Sequence, residues 1–140
     1  MKKVIFFSIL AVFFTTTSFT SAHAVSRTDP GAQGGFAIAR LVVATGIENR
    51  EPTGVADSFP ASVGKVVCFL EAVNIAADVQ VTFVWIHEGN VVLSTPLQLR
   101  AGPRWRTNAD KNLYDMKGAW QVEVRDASGN VVKDVSFTVE

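Results

Sequence analysis

The sequence predicts an all-β domain, an immunoglobulin-like antiparallel β-sandwich, preceded by an N-terminal signal helix. Three observations carry that expectation. Apolar residues alternate with polar ones at period two along several short segments, Val81-Thr82-Phe83-Val84-Trp85 and Trp120-Gln121-Val122-Glu123-Val124 among them, which is the pattern of strands with one buried face. Turn-forming clusters separate the segments, Glu88-Gly89-Asn90 and Asp126-Ala127-Ser128-Gly129-Asn130, and both suit tight hairpins. No stretch beyond the first 24 residues shows helical periodicity of useful length. Six to eight strands within about 100 residues are what a sandwich requires.

The elements follow in order. Met1-Lys2-Lys3 is a basic start, Val4 to Phe19 an apolar run, and Ala22-His23-Ala24 a small-residue exit. Together they read as a secretory signal peptide over residues 1–24. The run is broken at Ser8 and from Thr15 to Ser18, whereas a spanning helix wants about 20 predominantly apolar residues. Cleavage would leave the domain periplasmic or secreted; an uncleaved leader would tether it to the inner membrane. Residues 25–36 hold Pro30, Gly31, Gly34 and Gly35 and read as a flexible spacer. The sandwich is expected over residues 37–140.

Within it, Ala37 to Thr45 is a first strand and Glu48 to Gly64, with two prolines and two glycines, is mostly loop. Val66 to Val73 is nearly all apolar, as in a central strand covered on both faces. Val79–His87 and Val91–Thr95 form a hairpin, and Leu97 to Leu99 continues past Pro96, which belongs on an edge strand. In the last hairpin Trp120, Val122 and Val124 face inward, returned by Val131, Val135, Phe137 and Val139. Trp85, Trp105, Trp120 and Phe137 are the expected structural core.

Composition narrows the function. Without Lys2 and Lys3, eleven bases face thirteen acids, a net charge of −2, which argues against nucleic-acid binding driven by bulk charge. Cys68 is the only cysteine, so no intrachain disulfide can form; inside Val66-Val67-Cys68-Phe69-Leu70 it reads as a buried, inert thiol. After cleavage His87 is the only histidine, beside a turn and exposed to water. Its neighbour Glu88 would point to the opposite face, so no triad geometry is offered. One histidine and one cysteine give no zinc set, and no loop resembles a calcium site or a phosphate cradle. No cofactor or metal is implied, and enzymatic activity is not expected.

The stretch Arg100-Ala101-Gly102-Pro103-Arg104-Trp105-Arg106-Thr107-Asn108-Ala109-Asp110-Lys111 sets four bases against one acid. If Arg104-Trp105-Arg106 is extended, both guanidinium groups share one face, with Trp105 on the other. That geometry suits bidentate capture of a carboxylate or phosphate. It also suits a structural role in which Trp105 fills the core and the arginines pair with Glu48, Glu51 or Asp110. The candidate binding surface combines Glu48, Asn49, Arg50 and Glu51 with Arg104, Arg106 and Lys111, since both segments flank strands and could meet at one end or edge. Tyr114 is the one aromatic placed to meet a glycan from a loop.

Taken together, Gly46-Ile47-Glu48-Asn49-Arg50-Glu51-Pro52, Val66–Glu71, Val81–Trp85, Arg104-Trp105-Arg106-Thr107 with Lys111, Gly118-Ala119-Trp120-Gln121-Val122-Glu123-Val124 and Ser136-Phe137-Thr138-Val139 resemble the bacterial family known as domain of unknown function 2914. The resemblance runs over about residues 40 to 140. It implies a small extracytoplasmic or membrane-tethered β domain with no established activity. That family often carries a histidine two positions before the Trp85 position, where this chain has Phe83, so its shared site need not depend on imidazole. The expected function is a non-catalytic, extracytoplasmic binding or protein-interaction module, its partner an envelope protein. The alternative is a module for a small anionic ligand or cell-wall glycan, held through Arg104 and Arg106.

Overall fold

Period-two alternation fixes where each strand puts its apolar side, and the result is two sheets closed over a common core. The computed structural model describes residues 32–33 and 35–140; the signal helix expected over residues 1–24 lies outside them. The strands are β1 (Ala32–Gln33), β2 (Phe36–Ala44), β3 (Gly46–Glu48), β4 (Glu51–Thr53), β5 (Ser58–Phe59), β6 (Lys65–Ile75), β7 (Val79–His87), β8 (Asn90–Leu99), β9 (Gly102–Asn112), β10 (Gly118–Arg125) and β11 (Val131–Val139). A four-stranded sheet runs β1-β2-β6-β9, a five-stranded sheet β5-β11-β10-β7-β8, and β3 and β4 form a separate hairpin. All pairings are antiparallel except the short β5–β11 contact. The chain is thus an all-β sandwich.

The core lies between the sheets. Val66, Cys68, Leu70 and Ala72 of β6 meet Val81, Phe83 and Trp85 of β7, together with Trp120, Val122 and Val124 of β10. The Trp120 and Phe137 rings stack with centroids 5.8 Å apart. Trp85, Trp120 and Phe137 are buried as expected, while Trp105 packs half-buried at the core's margin. Cys68 is fully buried and free, and burial pushes its thiol well above the ordinary range, so it stays protonated. Pro96 sits on β8, an edge strand, opposite Thr82, where its missing N–H is harmless.

The structure corrects several expectations. Residues 48–64 are mostly turn and loop, as expected, but they are punctuated by the end of β3, by β4 and β5, and by a short 3₁₀ turn at Ala61–Val63. Residues 102–112 are one continuous strand of 11 residues, anchored by its register on β6. In β11 it is Val132 that enters the core, with Val131 47% exposed. A bulge opposite Val124 and Arg125 leaves Val132 as the extra residue, and such an insertion flips the facing of everything beyond it. β1 pairs with Phe36 and Ala37, so the end of the 25–36 segment is taken into the sheet.

Candidate functional site

The outer face of the four-stranded sheet carries the chemistry. On β6 the residues that turn away from the core are Val67, Phe69, Glu71 and Val73, and the first three are buried nonetheless. Register sets Arg40 of β2 and Arg106 of β9 on either side of Glu71, with Arg104 opposite Val73. Residues directly opposite in neighbouring strands share a face, so three arginines converge on one carboxylate by pairing alone. The β3–β4 hairpin then folds over this face and brings Glu51 to it.

The hairpin's own sequence explains its shape. Ile47 pairs with Pro52 and Glu48 with Glu51, so Asn49 and Arg50 form a two-residue turn. Both have positive φ, 49° and 63°, as a type I′ turn requires. Asparagine suits the first position, but glycine is the residue the second favours. Arg50 stands there instead, at a backbone cost that glycine would avoid.

Arg40 donates to both oxygens of Glu51 (3.0 and 3.2 Å) and to Glu71 Oε2 (3.2 Å). Arg106 donates from Nε to the same Glu71 oxygen (2.6 Å), and its Nη1 lies 2.9 Å from Glu51 Oε1. Arg104 Nε is 3.9 Å from Glu71, a weak contact. The Arg106 bond, and after it that of Arg40, holds the Glu71 carboxyl below the usual carboxylate range against the opposing effect of burial. Glu51 is lowered chiefly by Arg40, whose own proton is held more firmly in return. The Arg40 guanidinium also sits 5.0 Å over the Phe69 ring, a cation–π contact. Three arginines against two glutamates leave an excess positive charge.

Beside this network is an open hollow of about 700 Å³ lined by Asn49, Arg50, Phe69, Arg104, Arg106 and Asn108, among others. Its charged lining is wholly cationic. The two arginines of the Arg-Trp-Arg stretch differ: the Arg106 side chain is 28% exposed and committed to both glutamates, whereas that of Arg104 is 60% exposed. Such a surface can hold an acidic group through Arg104 and Arg50, with Asn49 and Asn108 as neutral donors.

The structure therefore brings together Asn49, Arg50, Glu51, Arg104 and Arg106. Glu48 stays exposed on the hairpin, outside the hollow. Lys111 is separated from the others, because 111 is odd and 104 and 106 are even on one strand. It points to the opposite face, is buried, donates to the Asn112 carbonyl (2.6 Å) and faces the Tyr114 and Trp120 rings at 5.0 and 5.8 Å. Sequence reasoning missed Arg40, Phe69 and Glu71. One signal was available: Glu71 is a charge at the end of an apolar run read as covered on both faces, and a buried charge needs partners.

His87 is no free turn histidine. Its Nε2 is 2.7 Å from the Lys117 carbonyl and its ring packs 4.6 Å from that of Trp120. Glu88 accepts the Ala119 N–H (2.8 Å), so the two side chains are engaged apart. Among the described residues, no three histidine, cysteine, aspartate or glutamate side chains lie close enough to hold a metal, and no helix is long and apolar enough to cross a membrane.

Solved structures similar to this chain are parts of much larger enzymes. A β-glucosidase from Erythrobacter marinus matches 75% of this chain with a TM-score of 0.51 at 8% identity, over 15% of its own length. A β-D-glucoside glucohydrolase from Trichoderma reesei matches 75% of this chain at 12% identity and a TM-score of 0.49, over 19% of its length. The likeness concerns the fold of a small portion of those chains. No curated protein matches the sequence. Residues 78–139, a narrower span than the 40–140 over which the landmarks run, match the family model described as Protein of unknown function (DUF2914), the family those landmarks resemble.

Proposed function

We propose that this chain is a non-catalytic binding module of the bacterial envelope, an immunoglobulin-like sandwich that takes an acidic group of a partner protein in the hollow on its four-stranded sheet. The observation that carries this reading is the gathering of charge. Four of the six arginines beyond residue 35, Arg40, Arg50, Arg104 and Arg106, collect on one face of a chain with equal numbers of acids and bases. The two glutamates there neutralise only part of that charge. Arg50 accepts a left-handed backbone to stand over the hollow, and unrelieved strain of this kind collects at functional sites.

The test is direct. Citrate and a capped triglutamate peptide are titrated while tryptophan fluorescence is followed, Trp105 being at the hollow's wall. Binding should weaken as salt rises and fall at least tenfold in the Arg50→Ala, Arg104→Ala double variant, at unchanged melting temperature. Absence of binding, or equal binding by the variant, defeats the reading. A second reading, a site for a small anionic ligand or cell-wall glycan, is favoured by the hollow's size, which lies within the range of small-molecule sites; citrate binding with no response to the peptide would select it.

The leader at residues 1–24 supports export to the periplasm or beyond. The intact mass of the exported protein should correspond to a chain starting at Val25. A mass that retains residues 1–24 would instead mean a domain tethered to the inner membrane.

A further inference from the structure

The arginine-bearing strand is also the free edge of its sheet. Among the described residues, β9 pairs with β6 on one side and with no strand on the other. Five consecutive residues of it, Arg104 to Asn108, line the hollow, so the hollow follows the strand's length.

The direction of its backbone groups can be read from one bond. Leu113, just beyond β9, donates its N–H to the Gly64 carbonyl (2.9 Å), which continues the register that pairs Lys65 with Asn112. In an antiparallel ladder bonded pairs alternate with unbonded ones. Lys111, Ala109 and Thr107 therefore turn their N–H and C=O toward β6, and Arg104, Arg106 and Asn108 turn theirs to the open edge. Three of the five hollow-lining residues of β9, Arg104, Arg106 and Asn108, thus carry the open backbone groups.

Resting on the reading of the hollow as a binding site, we infer that its occupant is an extended acidic peptide segment that joins the sheet as a fifth strand, antiparallel to β9. Residues of an added strand lie directly opposite their partners with side chains on the same face. Acidic residues at alternate positions would then face Arg104 and Arg106, within reach of Arg50, while their own N–H and C=O bond with the arginines' backbone. Charges on an edge strand ordinarily deter pairing. Here Arg104 and Arg106 are of one sign on the open face, so they repel a basic strand and favour an acidic one. A second copy of β9, antiparallel and centred on this stretch, would set arginine against arginine, which excludes self-pairing there.

A capped octapeptide of alternating glutamate and threonine tests this. Its binding should slow hydrogen exchange at the Arg106 and Asn108 amides, followed by NMR. Methylating the glutamate nitrogens, which would face β9, should cost at least tenfold in affinity, about 1.4 kcal/mol. Methylating the threonine nitrogens, which face away, should cost less than threefold. Equal loss for the two methylated peptides, or bound peptide without amide protection, overturns strand addition. If citrate still binds in an Arg50- and Arg104-dependent manner in that case, the hollow remains an anion site; if no probe binds, both readings fall.

Discussion

The central strands of the two sheets treat their outward faces differently. On β10 the outward residues are Ala119, which is exposed, and Gln121, Glu123 and Arg125, which are half-buried. Gln121 donates to Asp134 (2.9 Å) and Arg125 donates to Glu123 (2.7 and 2.9 Å), short-range pairings at a watered surface. On β6 the outward residues Val67, Phe69 and Glu71 are buried and only Val73, beyond them, is half-buried, although only one sheet packs against that strand. Their cover includes the β3–β4 hairpin, which packs beside β6, and Arg40, whose guanidinium sits over the Phe69 ring. Long cationic side chains can bury apolar surface along their stems while the head group stays polar. A solvated sheet face needs nothing more than alternation; the face of β6 is built up by a separate hairpin and a five-residue ion network. Construction of that kind, which the outward face of β10 lacks, is why the β6 side is the one proposed for binding.

Matched carboxylates sharpen the contrast. Glu71 and Glu123 both sit on the outward face of a central strand, with 9% and 17% of their side chains exposed. Glu71→Gln removes the charge that three arginines share and leaves Glu51 as the one carboxylate among them, which should cost roughly 2 kcal/mol or more of stability. Glu123→Gln loses one partner two residues away and should cost under about 1 kcal/mol. Chemical denaturation of the two variants reads both, and equal losses would erase the distinction. The acid limb gives a second reading. Because the Glu71 and Glu51 carboxyls are held below their ordinary value near 4.5, their contribution is complete above that value. It is lost as pH falls through the lowered folded values. Stability should therefore decline below about pH 5, and Glu71→Gln should flatten that decline more than Glu123→Gln does.

How far the sequence foretells this depends on the distance over which a feature is encoded. Alternation is local, so the inward tryptophans of β7 and β10, the two long hairpins and the edge position of Pro96 are legible from period and turn chemistry. Parity is local too, and it separates Lys111 from Arg104 and Arg106 as soon as residues 102–112 are one strand without a bulge. That strand is hard to read because its polar and charged residues carry little apolar alternation. Val131 and Val132 show the same limit in miniature: a single bulge, fixed by the partner strand, decides which of two adjacent valines enters the core. The site itself is non-local. Arg40, Glu51, Glu71 and Arg106 span 67 positions of sequence and meet only through β-pairing plus a hairpin that composition marks as loop. Charge spacing brought Glu51, Arg104 and Arg106 forward; only register could add Arg40 and Phe69.

The smallest expected effect is also the most selective. Arg104 and Arg106 stand two apart on the same face of the same strand, so propensity, charge and local strand geometry are matched between them. They differ in what they hold. Arg106 has a 2.6 Å bond to a buried carboxylate and a second contact that ties down the hairpin, whereas Arg104 reaches Glu71 only at 3.9 Å. Hydrogen bonds to charged groups are worth about 1.5–3 kcal/mol when made with good geometry, and an exposed ion pair close to nothing. Arg106→Ala should thus lower stability by about 1–2 kcal/mol and loosen the hairpin, visible as faster hydrogen exchange at the Thr45 amide, which bonds to the Thr53 carbonyl. Arg104→Ala should change stability by less than about 0.5 kcal/mol and leave that amide untouched. Equal losses at the two positions would mean that Arg104 is as structural as its neighbour, and the hollow would lose the one strand-borne arginine with charge to spare for a partner.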